Sequence, residues 1–92
     1  MINQTYQEVS EIIQLDLRNL RVKMGFDTLG EANKAINVQK HFYYLKSKCP
    51  EKYERLTFDT NGSEPFSKDL ESILCDFRTC GILQTKYDIL PE

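Results

Sequence analysis

Residues 56–83 read LTFDTNGSEPFSKDLESILCDFRTCGIL, and the change of period along them decides the fold. Leu56 and Phe58 alternate with Thr57 and Asp59, the period of a short strand. Asn61-Gly62 is a turn dipeptide, and Ser63-Glu64-Pro65 keeps the chain irregular beyond it. Phe66, Leu70, Ile73, Leu74 and Phe77 then share one helical face up to Gly81, where Ile82 or Leu83 can complete a Schellman-type cap. Further on, Leu83, Thr85, Tyr87 and Ile89 alternate with Gln84, Lys86 and Asp88. This is a second half-buried strand, able to pair with Leu56–Phe58.

Working outward, two helices precede this region. Thr5-Tyr6-Gln7-Glu8 is a capping box, followed by an apolar stripe of Val9, Ile12, Ile13, Leu17, Leu20 and Met24 and a stop at Gly25. Leu15 and Val22 fall opposite that stripe. They are either scattered surface residues or a second packing face, against another segment or in a homodimer contact. Thr28-Leu29-Gly30-Glu31 repeats the capping box, and Ala35, Val38, Phe42, Leu45 and Cys49 predict one long helix ending before Pro50. The predicted fold class is mainly α (α+β): three helices with a short two-stranded antiparallel ribbon, in the winged-helix-like order helix-helix-strand-helix-strand. Residues 1–92 form one domain, as the length allows only one modest core.

Composition removes whole classes of function. No apolar run approaches a membrane span, and Met1-Ile2-Asn3-Gln4-Thr5 lacks the basic and apolar regions of a signal peptide, so the expectation is a soluble cytoplasmic protein. Cys49, Cys75 and Cys80 are an odd set without close pairing. They read as reduced structural thiols rather than disulfides or, with His41, zinc ligands, and Cys75 is expected to be less accessible than Cys80. His41 is the single histidine and reads as a solvated helix residue, with no nucleophile beside it in the sequence. No phosphate-cradling glycine loop and no H-E-x-x-H motif occurs. The expectation is a protein that is not an enzyme and carries no cofactor or metal.

Tyr43-Tyr44-Leu45, the aromatics Tyr53 and Phe58, a glycine turn, Pro65-Phe66-Ser67, the Leu70/Ile73/Leu74 helix and Gly81-Ile82-Leu83 form a run that resembles the Panacea-type antitoxin domains, which also occur among proteins of phages and mobile elements. The similarity covers roughly residues 38–83. Ser63-Glu64 separates Gly62 from Pro65 where that family places glycine directly before proline. The resemblance implies a mostly helical domain that binds a protein partner, and no catalytic residue.

Charge separates the remaining classes. Residues 34–55 carry six basic side chains against Glu51 and Glu54, a local +4, and residues 56–92 carry Lys68, Arg78 and Lys86 against seven acidic ones, a local −4. The helix after Pro65 would therefore present carboxylates to a phosphate backbone, which disfavours it as a reader of DNA. The expected function is a small non-catalytic regulator that binds and occludes a protein partner with a basic surface, through Asp69, Glu71 and Asp76 and the adjoining wing. The alternative is a nucleic-acid-binding regulator using the basic stretch 34–55, with Lys40, Lys46, Lys48 and Lys52 as its contacts. A third reading is that the two charged regions simply attract each other within the fold.

Overall fold

Thr5 opens the first helix, α1 (Tyr6–Met24), by accepting the Glu8 N–H at 3.0 Å, while the Glu8 carboxylate accepts the Thr5 N–H at 3.1 Å. At the far end Gly25 turns left-handed (φ 76°), and the Gly25 and Phe26 N–H groups donate to the carbonyls of Val22 and Arg21. A side chain at this φ would be strained, which explains the glycine. The computed structural model describes residues 2–83. Within them α1 turns Val9, Ile13 and Leu17 fully into the core.

The long helix predicted from Thr28 to Cys49 is two helices. α2 (Leu29–Ala35) begins on Thr28, whose side chain accepts the Glu31 N–H, and ends after seven residues. Ile36 and Asn37 are extended, and the Asn37 side chain accepts the Lys40 N–H at 3.1 Å to open α3 (Val38–Lys48). An asparagine side chain competes for backbone donors, so it caps a new helix more readily than it continues an old one. The α2 member of the predicted stripe, Ala35, is exposed; α2 instead buries Ala32, and α3 buries Val38 and Phe42.

Turns between Cys49 and Arg55 fold Tyr53 and Leu56 inward, with the Tyr53 ring edge-on to Phe42 at 5.9 Å between centroids. The N-terminal residues are strapped across these turns. The Asn3 and Gln4 N–H groups donate to the Glu54 carboxylate at 2.6 and 2.9 Å, and the Gln4 amide bonds the Lys52 carbonyl and the Arg55 N–H. Those two backbone donors hold the Glu54 carboxyl below its ordinary pKa.

The last helix, α4 (Lys68–Thr79), is set by Ser67. This residue is fully buried, and its hydroxyl accepts the Leu70 N–H at 3.2 Å as the N-cap. Its backbone is clamped by Gln39 of α3, whose amide oxygen accepts the Ser67 N–H at 2.8 Å and whose amide nitrogen donates to the Ser67 carbonyl at 3.2 Å. α4 then buries Leu70, Ile73, Leu74 and Phe77. It ends at Gly81 (φ 79°), with the Ile82 N–H donating to the Phe77 carbonyl at 2.8 Å and Leu83 buried beyond it, as the Schellman reading anticipated.

Among the described residues the expected ribbon is absent. The described residues form four helices and no strand, so a winged-helix arrangement with a two-stranded ribbon is not supported. What remains is one antiparallel bridge, in which Asp59 and Phe66 exchange N–H···O bonds of 2.7 and 3.0 Å across the 60–65 turn. Leu56 is buried and Thr57 exposed, but alternation reports burial and does not supply a pairing partner. The second predicted strand, Leu83–Ile89, lies outside the described residues except for Leu83 itself.

Replacing Gln39 with alanine strips the partner from the buried Ser67 N–H, while the carbonyl keeps the Glu71 N–H at 3.1 Å, and should lower stability by about 1–3 kcal/mol. Ser67→Ala, which removes only the cap, should cost about 1 kcal/mol. Urea denaturation followed by circular dichroism reads both. An unchanged midpoint for Gln39→Ala would show that the clamp carries no stability.

Candidate interaction surface

Three shallow concavities join into one surface along α3, the bridge and α4. The first, about 320 Å³, is lined by Tyr43, Lys46, Ser47 and Phe58. A second, about 270 Å³, is lined by Thr57, Phe58, Asp59, Phe66 and Lys68, and so shares Phe58 with the first. The third, about 410 Å³, shares Phe66 and Lys68 with the second and continues along α4 past Glu71, Ser72, Cys75 and Asp76. The aromatic floor of this surface is exposed at Tyr43 and Phe66 and half-buried at Phe58. Tyr43 stands edge-on to Phe58 at 5.4 Å, and Phe66 is 45% exposed. Phe66 was expected on the core face of the last helix. It lies outside α4, in the bridge, where its backbone pairs with Asp59 and its side chain turns outward.

The acidic set Asp69, Glu71 and Asp76 is only partly gathered here. Glu71 and Asp76 line the groove, whereas Asp69 faces Arg55 at 3.9 Å. Glu71 lies 3.8 Å from Arg78, and Asp76 accepts the Tyr6 hydroxyl of α1 at 2.7 Å. The ion pairs are half-exposed and long, so they hold these carboxylates weakly. Among the described residues Arg55–Asp69 is the ion pair that joins the basic and acidic regions. Of the wing expected beside the helix, Leu56–Phe58 forms no strand and the rest of Leu83–Ile89 beyond Leu83 lies outside the described residues.

The basic set is dispersed by the fold. The Lys46 ammonium donates to the Leu56 carbonyl, and Lys52 pairs with Asp16 at 3.3 Å. Lys40 and Lys48 remain on the outer side of α3, with the Lys48 ammonium 5.3 Å from the Tyr44 ring centre. Leu15 and Val22 are 57% and 68% exposed, so no described segment covers them.

His41 is not a fully solvated helix residue. It is half-buried at a cleft of about 220 Å³ between α1, α3 and the Tyr53 turn. Burial lowers its pKa, and the nearby Asp16 opposes that shift. Asp16 accepts the Tyr53 hydroxyl and the Lys52 ammonium, and the cleft lining contains no serine, threonine or cysteine. Sequence reasoning missed this cluster because Asp16 sits on the flank of α1 and Tyr53 in a turn with no period. Cys49, Cys75 and Cys80 are free thiols, and Cys75 is exposed in the groove rather than shielded on the helix flank. Among the described residues no group of three or more histidine, cysteine or acidic side chains could hold a metal ion, and no helix is long and apolar enough to cross a membrane.

Tyr6 and Tyr53 both titrate abnormally. Burial first, then the Asp76 hydrogen bond and the nearby negative charges of Asp76 and Asp69, raises Tyr6 from 10.0 to about 12. Tyr53 is pushed up by burial and by Asp16. The raised native values mean that folding favours the protonated phenols, so this contribution is complete below pH 10.0, and the Tyr6 part disappears as pH rises towards about 12. The urea midpoint should therefore fall across that interval, and less steeply in Tyr6→Phe/Tyr53→Phe; equal slopes in the two proteins would contradict the assignment.

No family model, curated protein or solved structure matches the chain.

Proposed function

We propose that this chain is a small non-catalytic cytoplasmic regulator, antitoxin-like or phage-inhibitor-like, that binds a protein partner and occludes its working surface. The continuous groove floored by Tyr43, Phe58 and Phe66 carries the proposal. Protein interfaces concentrate their energy in a few aromatic anchors inside a polar rim, and this surface has that composition. Asp59, Glu71 and Asp76 against Lys46 and Lys68 leave the rim with an acidic excess, and Lys46 is occupied by a backbone carbonyl. The partner is accordingly one whose working surface is basic around an apolar centre, such as a nucleic-acid-binding groove. Opposite charge accelerates the encounter, and the aromatics hold the complex.

A nucleic-acid-binding role would use Lys40 and Lys48 beside Tyr44, away from the groove. Lys46 and Lys52 support it less, being engaged within the chain.

Capture of the partner from lysate of the native host, run beside an electrophoretic shift on random duplex at low salt, tests the reading. Phe66→Ser should lower partner affinity about tenfold, the effect of losing a 1–2 kcal/mol anchor. Joint reversal of Glu71 and Asp76 should lower it further through association rate, and Lys40→Glu/Lys48→Glu should leave it unchanged. A duplex shift that survives the acidic reversal and is lost with the lysine reversal would overturn the proposal.

A further inference from the structure

The outer face of α1 carries a pattern that the groove does not use. Glu8, Glu11, Leu15, Arg18 and Val22 follow one another at spacings of three, four, three and four, directly opposite the buried Val9, Ile13 and Leu17. All five are exposed, with Leu15 and Val22 at 57% and 68%. The three-and-four spacing is that of a helix–helix seam. Its charges are sorted along its length, acidic at Glu8 and Glu11 and basic at Arg18.

From this sorting we infer that α1 is a self-association surface, and that its occupant is a second copy of this chain lying antiparallel about a two-fold axis through Leu15. A parallel pairing would set Glu8, Glu11 and Arg18 each against the same residue of the other copy, like charge on like. The antiparallel pairing sets Leu15 against its own symmetry mate and Glu11 against Arg18 of the second copy, twice, because the interface is isologous. Val22 then lies over the aliphatic stem of Glu8 of the second copy. Sliding the helices to bring Leu15 onto Val22 of the second copy would place the two Arg18 side chains together, so charge selects the register as well as the direction. One helix face per copy is a small interface, and the dimer is weak and salt-sensitive. The groove on α3 and α4 remains free in it, so this inference and the proposed function fail independently.

Charge-swap sedimentation equilibrium tests it on the full chain. Wild type should associate reversibly below about 1 mM, and Leu15→Glu should weaken association at least tenfold. Glu11→Arg and Arg18→Glu should each remain monomeric alone, because each places two like pairs across the axis. Their equimolar mixture should form a heterodimer at least as tight as the wild-type dimer, since both cross-pairs are then opposite in charge. Circular dichroism checks that each variant is folded; all these positions are exposed. A wild type monomeric at about 1 mM, or a mixture that associates no more than its components, overturns the inference.

Discussion

The buried backbone of Ser67 is the constraint on which the rest of this small fold depends. A chain segment passing between α3 and α4 has no strand beside it to satisfy its N–H and carbonyl, and burying them unpaired would be costly. Gln39 accepts the N–H and joins the Glu71 N–H of α4 in donating to the carbonyl, in effect acting as the missing strand. The Ser67 hydroxyl then starts α4 in the same step. Four hydrogen bonds at one residue thus decide where α4 begins and which way it points.

That placement produces the candidate surface. With Ser67 fixed inward, Phe66 on the preceding residue turns outward, as alternation in an extended segment requires. The Asp59–Phe66 bridge holds it beside Phe58, and α4 presents Glu71, Ser72, Cys75 and Asp76 in continuation. Tyr53 has a comparable part on the other side of the core. Its ring packs on Phe42 and its hydroxyl reaches Asp16 of α1, so one side chain ties the turn after α3 to both helices.

Much of the helical frame was legible in the sequence because its signals are local. The Thr5/Glu8 box, Gly25, the Leu70-to-Phe77 stripe and the turn at Gly81 each depend on residues within a few positions of one another. The division at Asn37 was equally local but masked, since Ala35 and Val38 are spaced in sequence as one helical stripe although Ala35 proves exposed. The clamp and the Asp16–Tyr53 contact join residues 28 and 37 positions apart, and no period announces such a pair. The ribbon failed for the same reason: alternation at Leu56–Phe58 shows which side is buried but not what lies beside the backbone. Site residues chosen by charge alone were divided by the fold, because helical geometry separates Asp69 from Glu71 and local contacts absorb Lys46 and Lys52.

Native-state amide hydrogen exchange at Ser67 tests the central claim most directly. If the Gln39 clamp and the cap organise the α3–α4 junction, the Ser67 and Leu70 amides should exchange only through global unfolding, with protection equal to that of Leu74 in mid-α4. Exchange at Ser67 as fast as at the exposed Thr57 would mean that the junction opens locally, and that α4 is held in place by its apolar face alone.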